Sequence, residues 1–125
     1  MSAILPEGYQ TVTPYLILPG AAAFIEFVTK VFNAELIGKH MRDENIIMHA
    51  ELKIGNSSIM LAEATEQFAA QPSGFFIYVG DADSAYINAL NNGAVAVTPV
   101  ENQSYGRSGG VKDAFGNTWW ITSPL

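Results

Sequence analysis

Apolar and polar residues recur along the chain with two periods, and the switches between them mark out the elements. From Thr11 to Leu18 the period is two. Val12, Leu16 and Leu18 fall on one face and Thr13, Tyr15 and Ile17 on the other, which predicts a strand. Pro19-Gly20 breaks it. From Ala21 to Phe32 the spacing becomes helical, with Phe24, Phe27, Val28 and Val31 in one buried stripe. Asn33 can take the left-handed conformation that ends a helix. Three strand-like runs follow, Leu36–Arg42, Ile46–Ile54 and Ser57–Glu63, with turns at Asp43-Glu44-Asn45 and Gly55-Asn56. In the middle run, His49, Glu51 and Lys53 alternate with Met48, Ala50, Leu52 and Ile54, predicting one polar and one apolar face.

The second half repeats that order. Phe75–Val79 reads as a strand. A helix follows from Asp81 to Asn91, with Asp81 or Asp83 as N-cap and Ala82, Ala85, Tyr86, Ala89 and Leu90 as its buried stripe. Gly93 stops it. Val95–Val100, Ser108–Asp113 and Thr118–Thr122 are the closing strands. Tyr15 to Gly20 lies sixty positions before Phe75 to Gly80, Asn33-Ala34 keeps that offset from Gly93-Ala94, and Ile54-Gly-Asn-Ser57 matches Phe115-Gly-Asn-Thr118 with one residue more. Matches in register with the same element order point to a duplication. The expected organisation is one domain over residues 1–125: a βαβββ module over about 9–64, a linker over 65–73 rich in Ala, Gln and Pro, and a second module over about 74–123.

Charge and composition narrow the function. The formal net charge is −6, and the six Lys and Arg residues are scattered, so the counterion release that drives nucleic-acid binding has no basic stripe to act through. With no cysteine there is no disulfide framework and no thiol nucleophile. No apolar stretch is long enough to span a bilayer, and the opening Met1 to Gly8 lacks a cationic leader pattern, so a cytoplasmic protein without membrane or nucleic-acid partners is expected. Ser57, Ser58, Ser104 and Ser108 lack a nucleophile-elbow context, and the acidic residues show no glycosidase pairing. Tyr105-Gly106-Arg107-Ser108-Gly109-Gly110 is glycine-rich without phosphate-loop spacing. Asp113 to Asn117 reads as a hairpin turn without chemistry.

Several segments together resemble the vicinal oxygen chelate superfamily of glyoxalases, extradiol dioxygenases and bleomycin resistance proteins, and its PhnB-like group in particular. These are Val12-Thr-Pro-Tyr-Leu-Ile-Leu with Phe27 and Phe32-Asn-Ala34, His49-Ala-Glu-Leu-Lys-Ile-Gly-Asn56, and Tyr105-Gly-Arg-Ser with Lys112-Asp-Ala-Phe-Gly-Asn117. Members usually carry Pro where Ala114 stands and often Tyr where Val28 stands. The resemblance implies an α+β fold in which two βαβββ modules form a curved, half-open mixed sheet around a cavity, commonly in a homodimer. It also implies four metal-ligand positions, which carry over to Thr13, Met60 (or Ile59), Phe75 and Trp120. Thr, Met, Ile, Phe and Trp do not make a divalent site, so no metal and no cofactor are expected.

Two function readings follow. One is a metal-independent small-molecule-binding protein that takes a flat, largely apolar ligand bearing an acidic or carbonyl group. Its ligand-binding residues would be Tyr15, His49, Met60, Phe75, Tyr105, Arg107 and Trp120, with Phe75 and Trp120 as aromatic walls and Arg107 for the anionic end. The other is a metal-free lyase, isomerase or related enzyme with His49 as acid or base and Glu51 as its orienter. Blander readings stand beside both: His49 and Glu51 as the wet face of a sheet, Arg107 as half of a structural salt bridge, Trp120 as core. A homodimer is expected because a half-open sheet leaves strand edges uncovered.

Overall fold

The computed structural model describes residues 3–125, so Met1 and Ser2, which open the stretch read as carrying no leader, lie outside the described residues. The elements are β1 (Tyr15–Leu18), α1 (Ala21–Phe32), β2 (Glu35–Met41), β3 (Ile47–Ile54), β4 (Ser57–Glu63), β5 (Gly74–Tyr78), α2 (Ala82–Asn91), β6 (Val95–Gln103), β7 (Gly106–Lys112) and β8 (Thr118–Ser123). They build an α+β fold of two four-stranded mixed sheets, ordered β1-β4-β3-β2 and β5-β8-β7-β6. In each sheet the first strand runs parallel to the last and the other pairs are antiparallel.

Local chemistry explains the helix ends. Gly20 precedes α1 without a capping side chain, and the first turn holds no acid. Glu63 at the end of β4 fills the gap, accepting from the Gly20 and Ala21 amides at 2.8 and 3.0 Å. In α2 the Asp81 carboxylate accepts from the Ser84 amide, and Ser123 Oγ at the end of β8 accepts from the Ala82 amide at 3.3 Å. Asn33 and Gly93 follow the two helices with φ of 58° and 100°, as left-handed stops.

Two boundaries and one side-chain face differ from the pattern reading. β1 starts at Tyr15 rather than Thr11: Pro14 offers its carbonyl to the Met60 amide but has no N–H of its own, and Val12 stands 79% exposed. Met48, expected on the apolar face of β3, is exposed. His40 pairs with His49 but Met41 with Ile47, so Met48 is the extra residue of a bulge and Ile47 takes its place inside. β6 runs on to Gln103 through a register shift at Pro99, tolerated because β6 is an edge strand.

One apolar cluster serves both sheets. Leu16, Leu18, Ala50, Leu52, Ile59 and Leu61 come from the first, Val111, Trp119 and Ile121 from the second, and Phe24, Phe27 and Phe32 of α1 join them. The centre of the join is Trp119. Its ring stacks on Phe75 at 4.2 Å between centroids and lies 4.7 Å from Phe32 and 6.4 Å from Phe24.

The turn before β8 does more than reverse the chain. Asp113, 5% exposed, accepts from the Phe115 and Asn117 amides with one oxygen and from Asn117 Nδ2 and Trp119 Nε1 with the other, at 2.9, 2.9, 3.1 and 2.8 Å. Removing the carboxylate strands these donors inside the protein. Asp113→Ala is expected to cost about 2–4 kcal/mol in urea denaturation. Asp43→Ala is expected to cost under about 1 kcal/mol, since Asp43 caps an exposed turn through the Asn45 and Ile46 amides. Equal losses at the two aspartates would contradict this account.

Candidate functional site

Side chains of a strand alternate between faces, so the residues between those of the core point away from it. On the first sheet Tyr15, Met60, Glu51 and Gly38 stand side by side in one row across β1, β4, β3 and β2. His49 and His40 form a neighbouring pair, with ring centroids 6.2 Å apart. The Tyr15 hydroxyl and His49 Nδ1 are hydrogen-bonded at 3.2 Å. Glu51 does not orient His49; its carboxylate meets Tyr9 instead, and hydrogen bonding to it, with some desolvation and its negative charge, raises the Tyr9 pKa. The orienting group for His49 is therefore a phenol, not an acid. Among the described residues no group of three or more His, Cys, Asp or Glu could hold a metal ion.

The second sheet presents a different face. Phe76, Trp120, Gly110 and Thr98 make the row corresponding to that of Tyr15. Phe75 is not on it: the strand match with β1 is one residue longer than the sixty-position repeat, and a one-residue slip flips every side chain. Phe75 thus stacks on buried Trp119, and Phe76, half exposed, takes the outward position. Of the expected metal positions, Met60 and Trp120 lie on the outward faces, paired with Tyr15 and Phe76, whereas Phe75 faces inward and Thr13 precedes β1.

Gly110 explains how Trp120 lies. A Cβ on Gly110 would stand 2.5 Å from Trp120 Cζ3 and 2.8 Å from Cε3, so only glycine lets the indole rest against the sheet. On the reverse side a Cβ on Gly109 would meet Val100 at 2.7 Å and Tyr86 at 3.1 Å, so this pair of glycines serves both faces at once. Trp120 remains 38% exposed. Tyr105, on the β6–β7 turn, leans back to within 5.9 Å of Phe76, and Tyr78 packs edge-on to Phe76 at 5.3 Å. Trp120 and Tyr105 line a cavity of about 350 Å³ together with Thr98, Pro99, Glu101, Gln103 and Ser108, while Phe76 and Tyr78 line a separate, larger cleft.

Arg107 is elsewhere. Its partners across the sheet place it on the helix side, where Nε and Nη2 donate to the Asp83 carboxylate at 2.6 and 3.0 Å and Nη1 donates to Asn102 at 2.9 Å. The fork is occupied, so the anion-binding role expected for Arg107 has no group to supply it. The hydrogen bond from Arg107 lowers the Asp83 pKa, and Asp83 in turn raises that of Arg107.

The expected ligand set is therefore divided. Tyr15, His49 and Met60 share the first outward face, Tyr105 and Trp120 the second, while Phe75 and Arg107 face the helices. Among the described residues no hydrogen bond or ring contact joins the two outward faces. A larger cleft of about 940 Å³ runs along the open edge of β5 and holds, of that set, Phe75. Of its aromatic lining, Phe32 and Trp119 are buried in the core, Phe75 packs against it, and Phe76 and Tyr78 are exposed, whereas the smaller cavity is lined by Trp120 and Tyr105. Sequence reading missed Phe76, Gly110, Glu101 and Gln103. The Gly109-Gly110 pair inside a strand was the available signal, since glycine there marks a close approach.

Residues 12–121 match the family model of the Glyoxalase/Bleomycin resistance protein/Dioxygenase superfamily. An uncharacterized protein of Mycobacterium bovis is 31% identical over 125 residues, covering 90% of this chain and 82% of its own length. The PhnB protein of Bacillus cereus has a similar fold, with a TM-score of 0.70, 19% identity and 91% and 99% of the two chains covered. The bleomycin-binding protein of Streptomyces verticillus, solved with copper(II)-bleomycin, superposes over both whole chains with a TM-score of 0.63 and 21% identity.

Because the folded Asp83 pKa lies below its unfolded value, the Arg107 pair stabilises the fold above the unfolded carboxylate range and stops doing so as pH falls through the folded pKa. Asp83→Asn should therefore lower the Tm at pH 7 and flatten its fall on acidification, as read by thermal melts from pH 7 to pH 3. An acid limb identical to that of the wild type would show that the pair carries no linked stability.

Proposed function

The chain belongs to the Glyoxalase/Bleomycin resistance protein/Dioxygenase superfamily, and from that premise we propose that it is a metal-independent small-molecule-binding protein for a flat, largely apolar ligand. Membership does not choose a chemistry, because one scaffold hosts many sites. The observation that carries the reading is Trp120: an indole whose six-membered ring lies against a glycine and which lines a cavity together with Tyr105. Such a surface binds by shape and stacking and needs no charge transfer. A bleomycin-binding protein among the solved relatives supports the same reading at the level of the family.

A homodimer is part of this proposal. Tyr15, Phe76, Tyr78 and Trp120 are half exposed on the two outward faces, and Leu36, Ile37, Val95 and Val97 are exposed on the edge strands β2 and β6. A second copy would cover this apolar surface and enclose the ligand. Light scattering at micromolar concentration checks it, with the mass of a single chain as the contrary result.

The contact between Tyr15 and His49 supports a second reading, a metal-free enzyme with His49 as acid or base and Tyr15 as the group that holds its ring. Turnover of a carbonyl or aromatic substrate that depends on His49 would favour it over binding alone.

For the binding reading, a bound flat ligand should lose roughly 1–3 kcal/mol of affinity in Trp120→Ala, with EDTA leaving the wild-type affinity unchanged. Isothermal titration against a panel of fused-ring compounds measures both. Binding that survives Trp120→Ala, or that EDTA abolishes, would overturn the proposal.

A further inference from the structure

The charge of the ligand can be read from the cavity beside Trp120, given the proposal that this face binds flat molecules. Its seven lining residues include one charged group, Glu101. Glu101 pairs with Ser108 across β6 and β7, so its side chain leaves the sheet on the outward face, the one that carries Trp120. Gln103 lines the same end, and Tyr105 closes the side. Among the described residues neither ion pair involves Glu101, the two being Lys30–Glu26 and Arg107–Asp83. Arg107, adjacent in sequence to the lining residue Ser108, is bound on the reverse side of β7. Lys112 stands on the outward face, but two positions beyond Gly110 and outside the lining.

An electron-rich indole and phenol beside an unpaired carboxylate attract a cation through both the ring faces and the charge. A carboxylate-bearing ligand would meet the same carboxylate as a like charge, with no cation in the wall to offset it. The amide oxygen of Gln103 can accept from an N–H donor beside it.

We propose that the Trp120 cavity selects a planar aromatic bearing a cationic nitrogen group, an amidine or an aminoalkyl group in its protonated form, with the ring on Trp120 and the nitrogen group directed at Glu101. An acidic ligand is disfavoured. This replaces the acidic or carbonyl ligand expected when Arg107 was assigned to the cavity.

Three probes of one shape and different charge test it: naphthalene-2-carboxamidine, naphthalene-2-carboxamide and 2-naphthoate, titrated calorimetrically at pH 7 into the wild-type protein, Glu101→Gln and Trp120→Ala. The expected order is amidine, then amide, then naphthoate, with about tenfold between the first and last. Glu101→Gln should reduce that ratio to within about threefold, mainly by weakening the amidine, and Trp120→Ala should weaken all three. Equal affinities, or naphthoate tightest, would overturn the charge assignment and leave Trp120 as a stacking site. An amidine preference unchanged in Glu101→Gln would place the cation elsewhere and overturn it too. If none of the three binds, the reading of the Trp120 face as a ligand site fails, and this inference with it. Thermal melts of both variants confirm that they are folded.

Discussion

Because side chains alternate along a strand, β8 must send one of its two neighbouring indoles into the core and the other out, and the buried Asp113 carboxylate decides which. By accepting from Trp119 Nε1 it satisfies the one polar atom of that ring and makes its burial affordable. The same carboxylate holds the amides of the turn that starts the strand, so turn geometry and strand register are set together. With Trp119 inside, Phe75, Phe24 and Phe32 assemble round it, and the two modules share one apolar cluster. With Trp120 outside, its ring needs a flat bed, which Gly110 provides. A slip of one residue would exchange the two tryptophans and dismantle core and cavity alike.

The shared core has a consequence for function. Both sheets turn the same kind of face, the apolar one, toward the helices, so their remaining faces point away from the centre and carry residues of one module each. These faces are chemically unlike. The first brings Tyr15, His49, His40 and Glu51 together; the second brings Phe76, Tyr78, Tyr105 and Trp120. The two halves share their topology and the placement of the helix caps, Glu63 in one and Ser123 in the other, while their outward residues differ. That is the pattern expected when the fold is held by the core and the chemistry by what hangs on its open surfaces.

Much of this was legible in the order of residues. The helix from Ala21 to Phe32, the turn at Gly55, the cap at Asp81 and the repeated βαβββ order follow from periodicity and capping chemistry, because those signals act within a few residues. What was not legible depends on register or on partners distant in the chain. The sixty-residue repeat fits the helix ends, but β1 and β5 match one residue further on, and that single position moved Phe75 from wall to core. The bulge at Met48 arises from pairing with β2, which no local pattern reports. Arg107 lies 24 residues from Asp83, and only the packing of α2 on β7 brings them together. Likewise the partner of His49 proved to be Tyr15, from another strand, rather than Glu51 two residues along.

The opposite fates of the two indoles are the central claim, and their N–H groups report on them separately. Hydrogen exchange of the indole resonances in nitrogen-15-labelled protein should show one N–H strongly protected, bonded to Asp113 in the core, and one exchanging much faster. Substituting Trp120→Phe should remove the fast signal and leave the protected one in place. Comparable exchange at both indoles, or loss of the protected signal in that variant, would contradict the account.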